Sequence, residues 1–220
     1  IQYLLNYAGD LNFPNLGGDP CHHYNSAYNF SRFFLPQNDF IFSYWFRHES
    51  LPALIDIYPP GFYIFLGFFL FLFGDSYFVA RIFNFIVGIL NITLTYLIGL
   101  KIKSKNLAIL SSLAVSINIY HIENSTVVMN VVFSMLVIQI SILSFLLFFK
   151  GNKTWFFIGF LTGISYLTYT ASQVILFCFF AFLIIEYYYN KILLPDFLNK
   201  IIFLLIGYIL VLLPWAFITY

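Results

Sequence analysis

The chain has 220 residues, of which 61% are hydrophobic and only 9% charged, and its formal net charge is +1. So few charges cannot clothe a water-facing surface, which excludes an ordinary soluble domain, and the near-neutral balance leaves no electrostatic case for nucleic acid as a partner. Apolar stretches over 82–100, 107–119, 127–149, 155–167, 174–185 and 201–218 approach the roughly 20 residues that a helix needs to cross about 30 Å of hydrocarbon, so the expected fold is all-α, a polytopic transmembrane helix bundle.

In chain order, the sequence begins at Ile1 and ends at Tyr220 inside an apolar run, and it is expected to be truncated at both ends. Residues 1–76 are expected to form a long outer loop containing short interfacial or re-entrant helices, and 77–220 a transmembrane bundle of about six spans. Within the loop, Gly18-Asp19-Pro20 is a helix-start signal, with Asp as N-cap and Pro at the first helical position. A helix from there to about Phe34 places Tyr24, Ala27, Tyr28 and Ser31 on one face, and Pro36 stops it. A second polar stretch, Phe46-Arg47-His48-Glu49-Ser50, precedes Tyr58-Pro59-Pro60, which opens an apolar segment ending at Phe73-Gly74-Asp75. As a helix, 60–73 reaches only about 21 Å, short for a full crossing, and is expected to be re-entrant or interfacial. If it does not cross, the loop 1–57 shares a face with His121 and Glu123; if it crosses, the two are separated by the bilayer.

The lysines fall in three connecting segments: Lys101, Lys103 and Lys105; Lys150 and Lys153; Lys191 and Lys200. Two apolar runs separate each cluster from the next, so all three can share one side, which the positive-inside rule makes cytoplasmic. The turns His121 to Thr126 and Thr168 to Ser172 then lie on the outer face.

Ionisable residues are scarce in this chain, yet Asp19, His22, His23, Arg32, Asp39, Arg47, His48, Glu49 and Asp56 all fall in the one loop. Loops of this length are commonly functional. Asp19 is a candidate general base or metal ligand, against the plainer reading of a helix cap. A divalent metal is a candidate cofactor, with Asp19 and His23 as its candidate ligands. His121 and Glu123 sit where an apolar run meets the outer surface, either as a second acidic element or as an ordinary polar helix end. Arg47 and Arg81 are candidate phosphate ligands, because a guanidinium matches phosphate oxygens in a bidentate way; interfacial anchoring is the other reading of each. No phosphate-binding P-loop, GxSxG elbow or HExxH zinc motif is present.

The order Gly18-Asp19-Pro20-Cys21-His22-His23-Tyr24, then Tyr58-Pro59-Pro60-Gly61-Phe62-Tyr63, then Phe73-Gly74-Asp75-Ser76 and Arg81, followed by the Gly-rich span from Gly159 to Thr170, resembles the GT-C superfamily of membrane glycosyltransferases. The nearest likeness is to the protein O-mannosyltransferase and aminoarabinose transferase branch, glycosyltransferase family 39-like. The resemblance implies transfer of a sugar from a polyprenyl-phosphate-linked donor to a protein, lipid or glycan acceptor at the outer membrane face. It also implies Asp19 as the catalytic acidic residue, Glu123 as the available second one, and a substrate site drawn from His22, His23, Tyr24, Arg47, Tyr58, Pro59, Pro60, Arg81 and His121. Some relatives carry a basic residue before the Pro pair where this chain has Tyr58. The expected setting is a bacterial or archaeal plasma membrane, with the bilayer and the lipid-linked donor as partners. An oligosaccharyltransferase-like enzyme and a non-enzymatic multi-pass transporter are the alternatives.

Overall fold

The computed structural model describes residues 19–31, 60–148, 151–190 and 192–219. Among them are nine α-helices and no strand: α1 (Asp19–Ser31), α2 (Gly61–Phe73), α3 (Tyr77–Ile102), α4 (Lys105–Ile117), α5 (Ile119–Thr126), α6 (Asn130–Phe148), α7 (Asn152–Thr168), α8 (Val174–Asn190) and α9 (Leu194–Thr219), with a 3₁₀ turn at Thr170–Gln173. The fold is an all-α polytopic bundle. Four helical segments, Tyr77–Ile102, Asn130–Phe148, Thr170–Tyr189 and Leu194–Pro214, are long and apolar enough to cross a membrane. Only 22% to 33% of each span's apolar window is buried, so most of each span must face lipid. Phe85 and Ile89 on α3, Ile185 on α8 and Ile202 and Ile206 on α9 are exposed accordingly.

Cross-helix contacts give the direction of each pass. Gly99 lies against Ala108, while Asn84 reaches the carbonyls of Asn124 and Val127 and Arg81 that of Thr126. The chain therefore runs back along α3 through α4 and α5 together. The 13-residue α4 is interrupted at Asn118, whose side chain accepts from the His121 amide and caps α5. Helix α6 descends beside α3, with Asn91 donating to the Val132 carbonyl at 2.9 Å and Gln139 to Thr95 at 3.0 Å. Helix α7 returns along α6 through Asn130 to the Thr168 carbonyl and Ser134 to Ser165. The C-terminal ends of α3, α6 and α8, with Lys101, Lys153 and Lys200 on the described residues near them, thus gather at one end of the bundle. The turns at 74–76, 127–129 and 169–173 gather at the other.

Lipid offers no hydrophobic drive between helices, so close backbone packing and interhelical hydrogen bonds must hold them. The parallel pair α7 and α9 does this by contact: a Cβ on Gly159 would collide with the Leu204 carbonyl, and one on Gly207 with that of Phe156. Trp155, Ile158, Leu183, Leu204 and Tyr208 fill the core beside that seam. Near the lysine end, Lys200 Nζ donates to both carboxylate oxygens of Glu186 at 2.9 and 3.0 Å, joining α8 to α9 with both side chains buried.

Helix α2 behaves differently. Its first residue, Gly61, sits against the Leu167 carbonyl, one residue from the end of α7. Its last turn closes at Gly74, whose φ of 107° lies where glycine is favoured, and Ser76 then caps α3 by accepting from the Val79 amide. Both ends of α2 are therefore at the end of the bundle opposite the lysines. Phe62 and Phe65 pack on Phe133 of α6, and Phe62 and Phe69 on Phe83 of α3.

Two outcomes are expected from this packing. Gly159→Ala, which forces one methyl onto a backbone carbonyl, should lower the unfolding free energy by about 1–3 kcal/mol in denaturant titrations of the purified protein. Glu186→Gln, which leaves a buried ammonium without its counter-charge, should cost about 3–5 kcal/mol. The double replacement Glu186→Leu, Lys200→Met should recover most of that loss.

Candidate functional site

Helix α1 begins at Asp19, and its buried stripe is His23, Ala27 and Ser31, spaced i, i+4, i+8, with Tyr24 and Tyr28 half-buried at the margin. Ala27 and Ser31 of the face expected from the sequence are buried, its two tyrosines lie at the margin, and His23 is added beside them. The helix lies parallel to α2. His23 Nδ1 and the Tyr63 hydroxyl share a hydrogen bond of 3.1 Å, and the imidazole meets the rings of Phe62 and Tyr63 at 5.6 Å. One turn on, the Ala27 backbone crosses Gly67 so closely that a Cβ there would stand 2.8 Å from the Ala27 carbonyl oxygen. At the far end the Ser31 hydroxyl donates to the Asp75 carboxylate at 2.9 Å and to the Tyr28 carbonyl at 2.7 Å.

Tyr24 donates its hydroxyl proton to the Asp75 backbone carbonyl at 3.1 Å and sets its ring edge-on to Tyr77. Burial, and after it the nearby Asp75 carboxylate, pushes the Tyr24 hydroxyl above its usual value of 10. The proton needed for that hydrogen bond is thus held across neutral pH. Its contribution is complete below pH 10 and is lost only as pH rises through the raised value.

A second polar cluster lies along α3 and α5. Arg81, one helical turn after Tyr77, donates Nε to the Thr126 carbonyl at 2.8 Å. The Asn84 amide nitrogen donates to the carbonyls of Val127 and Met129 at 2.6 and 2.9 Å and, more weakly, of Asn124 at 3.4 Å. These carbonyls close α5 and its exit turn, where the helix itself supplies no donors. His121 is buried with Nε2 3.2 Å from the Gly88 carbonyl. A carbonyl only accepts, so Nε2 carries the proton. Glu123, on the same short helix, is exposed.

The structure thus distributes the sequence candidates between two clusters. His23, Tyr24 and Pro60 belong to the α1–α2 layer, Pro60 being buried as the residue that opens α2. Arg81 and His121 belong to the α3–α5 cluster, which adjoins that layer through Tyr77. Asp19 and His22 are placed in α1 by their backbone, and their side chains lie outside what the structure describes, as do residues Arg47, Tyr58 and Pro59 altogether. Among the described residues no three His, Cys, Asp or Glu gather as metal ligands. Tyr63, Asp75, Ser31 and Asn84 were not singled out as site residues from the sequence. An Asn inside an otherwise apolar run was the available signal for Asn84, because an amide in that setting must find partners.

A family model described as dolichyl-phosphate-mannose-protein mannosyltransferase matches residues 58–217. No curated protein matches, and no solved structure does. The matched segment runs from the Tyr-Pro-Pro element through α2 and the whole bundle to the end of α9, and with four long apolar helices in that segment the chain belongs to the dolichyl-phosphate-mannose-protein mannosyltransferase family, membrane glycosyltransferases of GT-C type.

Proposed function

We propose that this protein transfers a sugar from a polyprenyl-phosphate-linked donor to an acceptor hydroxyl, with Asp19 as general base, at the membrane face opposite the lysine-bearing connections. The observation that supports this most is the return of α2 to the end it started from. Helix α1 rides on α2, so the segment headed by Asp19 belongs to the same end of the bundle as Arg81. A donor with a membrane-embedded chain and a polar head reaches such an end laterally, without leaving the bilayer.

In the transfer, the acceptor oxygen bonds to the anomeric carbon while the bond from that carbon to the phosphate oxygen breaks. The acceptor proton passes to the Asp19 carboxylate, and the polyprenyl phosphate departs carrying the bonding electrons as negative charge. Preorganised cationic donors stabilise such charge best when they need not move. Arg81 is suited to this: its Nε is held by the Thr126 carbonyl, which fixes the guanidinium plane while its terminal nitrogens remain for phosphate oxygens. Glu123, exposed on α5, is the second acidic candidate, and His22, Tyr24 and the Tyr58-Pro59-Pro60 element are the candidate lining of the donor's sugar site, with His23 buried behind it between α1 and α2. The lysine-rich end would be cytoplasmic by the positive-inside rule.

Asp19→Asn is expected to reduce transfer from polyprenyl-phosphate mannose by about 10²–10⁴-fold with expression and membrane insertion unchanged; undiminished turnover would remove Asp19 from the mechanism. Sidedness is read separately. With Cys21 and Cys178 replaced by Ser, a membrane-impermeant thiol reagent added to intact cells should label Ser50→Cys, and should label Lys103→Cys only after permeabilisation. Labelling of both from one side would dismantle the shared site.

A further inference from the structure

The α1–α2 layer is fastened at three levels, and the three are not equivalent. At the far level, Ser31 and Tyr24 hold the turn at Asp75. At the middle level, Ala27 is matched to Gly67 by backbone shape. The first level, the hydrogen bond between His23 and Tyr63, lies one helical turn from Asp19 and ties α1 directly to α2, while Tyr24, one residue on, reaches past α2 to the turn at Asp75. Both partners are sealed from water, His23 at 0% and Tyr63 at 2% exposure. Water does not reach either side of this bond, so losing the Tyr63 hydroxyl removes a direct tie between α1 and α2 that solvent cannot replace.

We infer that Tyr63 is a positioning residue: through its hydrogen bond to His23 it sets the height and rotation of the first turn of α1, the turn that begins at Asp19. The inference rests on the general-base reading of Asp19. Tyr63 itself is anchored from below. It sits in the first turn of α2, two residues after the Gly61 contact with Leu167, so its hydroxyl refers α1 to the rigid end of the bundle. A base misplaced by about 1 Å loses up to roughly a hundredfold in rate without losing its substrate.

The test compares Tyr63→Phe, His23→Phe and the double variant with the parent protein in proteoliposomes, using polyprenyl-phosphate mannose as donor. Turnover, KM for the donor and thermal unfolding are all measured. Tyr63→Phe removes one oxygen and keeps the ring. Its kcat should fall about tenfold with KM within about twofold, at an unfolding temperature close to the parent's. The double variant should be no slower than the slower single, because the two residues act as one unit. Unchanged kcat in Tyr63→Phe overturns the inference. So does a loss of activity that merely tracks the folded fraction, and so does a double variant whose losses multiply. If Asp19→Asn turns over normally while Tyr63→Phe does not, the base assignment fails and the positioning of α1 stands; the opposite pattern removes the positioning alone.

Discussion

A helix of 13 residues spans about 20 Å, and the consequence for α2 is that it lies across one end of the bundle with both termini on that side. What holds it there is close contact at the start, Gly61 on the Leu167 carbonyl, and an aromatic group of Phe62, Phe65 and Phe69 against Phe83 and Phe133 along its length. The turn at Gly74 and the Ser76 cap then send the chain into α3. Helix α1 turns its buried stripe to α2 and meets α3 through Tyr24 on Tyr77. The placing of its first turn is therefore inherited from α2 and from the ends of the spans that α2 rests on.

The spans themselves are joined by polar side chains and small residues. Asn84, Asn91 and Asn130 each donate to a carbonyl of a neighbouring element, and all three are buried. Such bonds are worth on average well under 1–2 kcal/mol each in a membrane, but they are directional, and they fix the rotation of each helix about its axis as dispersion alone would not. Arg81 belongs to the same scheme, its bond to the Thr126 carbonyl closing α5.

Much of the architecture was legible in the sequence because it follows from composition and period. The apolar runs, the sharing of one side by the lysine clusters and the shortness of 60–73 all rest on counting residues against the thickness of a bilayer. The start of α1 at Asp19-Pro20 was legible from capping chemistry. What could not be read was pairing over long separations: Tyr63 with His23 at 40 residues, Asp75 with Ser31 at 44, Asn84 with Val127 at 43. On α1 the expected face is buried at Ala27 and Ser31 and half-buried at Tyr24 and Tyr28, and what the spacing does not give is His23, which joins the stripe toward α2. His121 stands in the chain where a surface group is expected, and the structure buries it against the Gly88 carbonyl; the missing Cβ at Gly88 admits Ser125 of the same short helix, a fact visible only once the two helices are side by side.

The interruption at Asn118 has a further effect on the surrounding lipid. Helix α4 supplies only about 20 Å of apolar wall before the chain turns into the polar α5, against roughly 30 Å of hydrocarbon in a typical bilayer. Ile117, Ile119 and Tyr120, between 58% and 72% exposed, mark where that wall stops. A wall that short is met by local thinning of the bilayer, by flanking side chains reaching to the interface or by a neighbouring helix, each at a fraction of a kcal/mol per Å of mismatch, so α4 is the edge of this bundle at which lipid and protein have to adjust to one another.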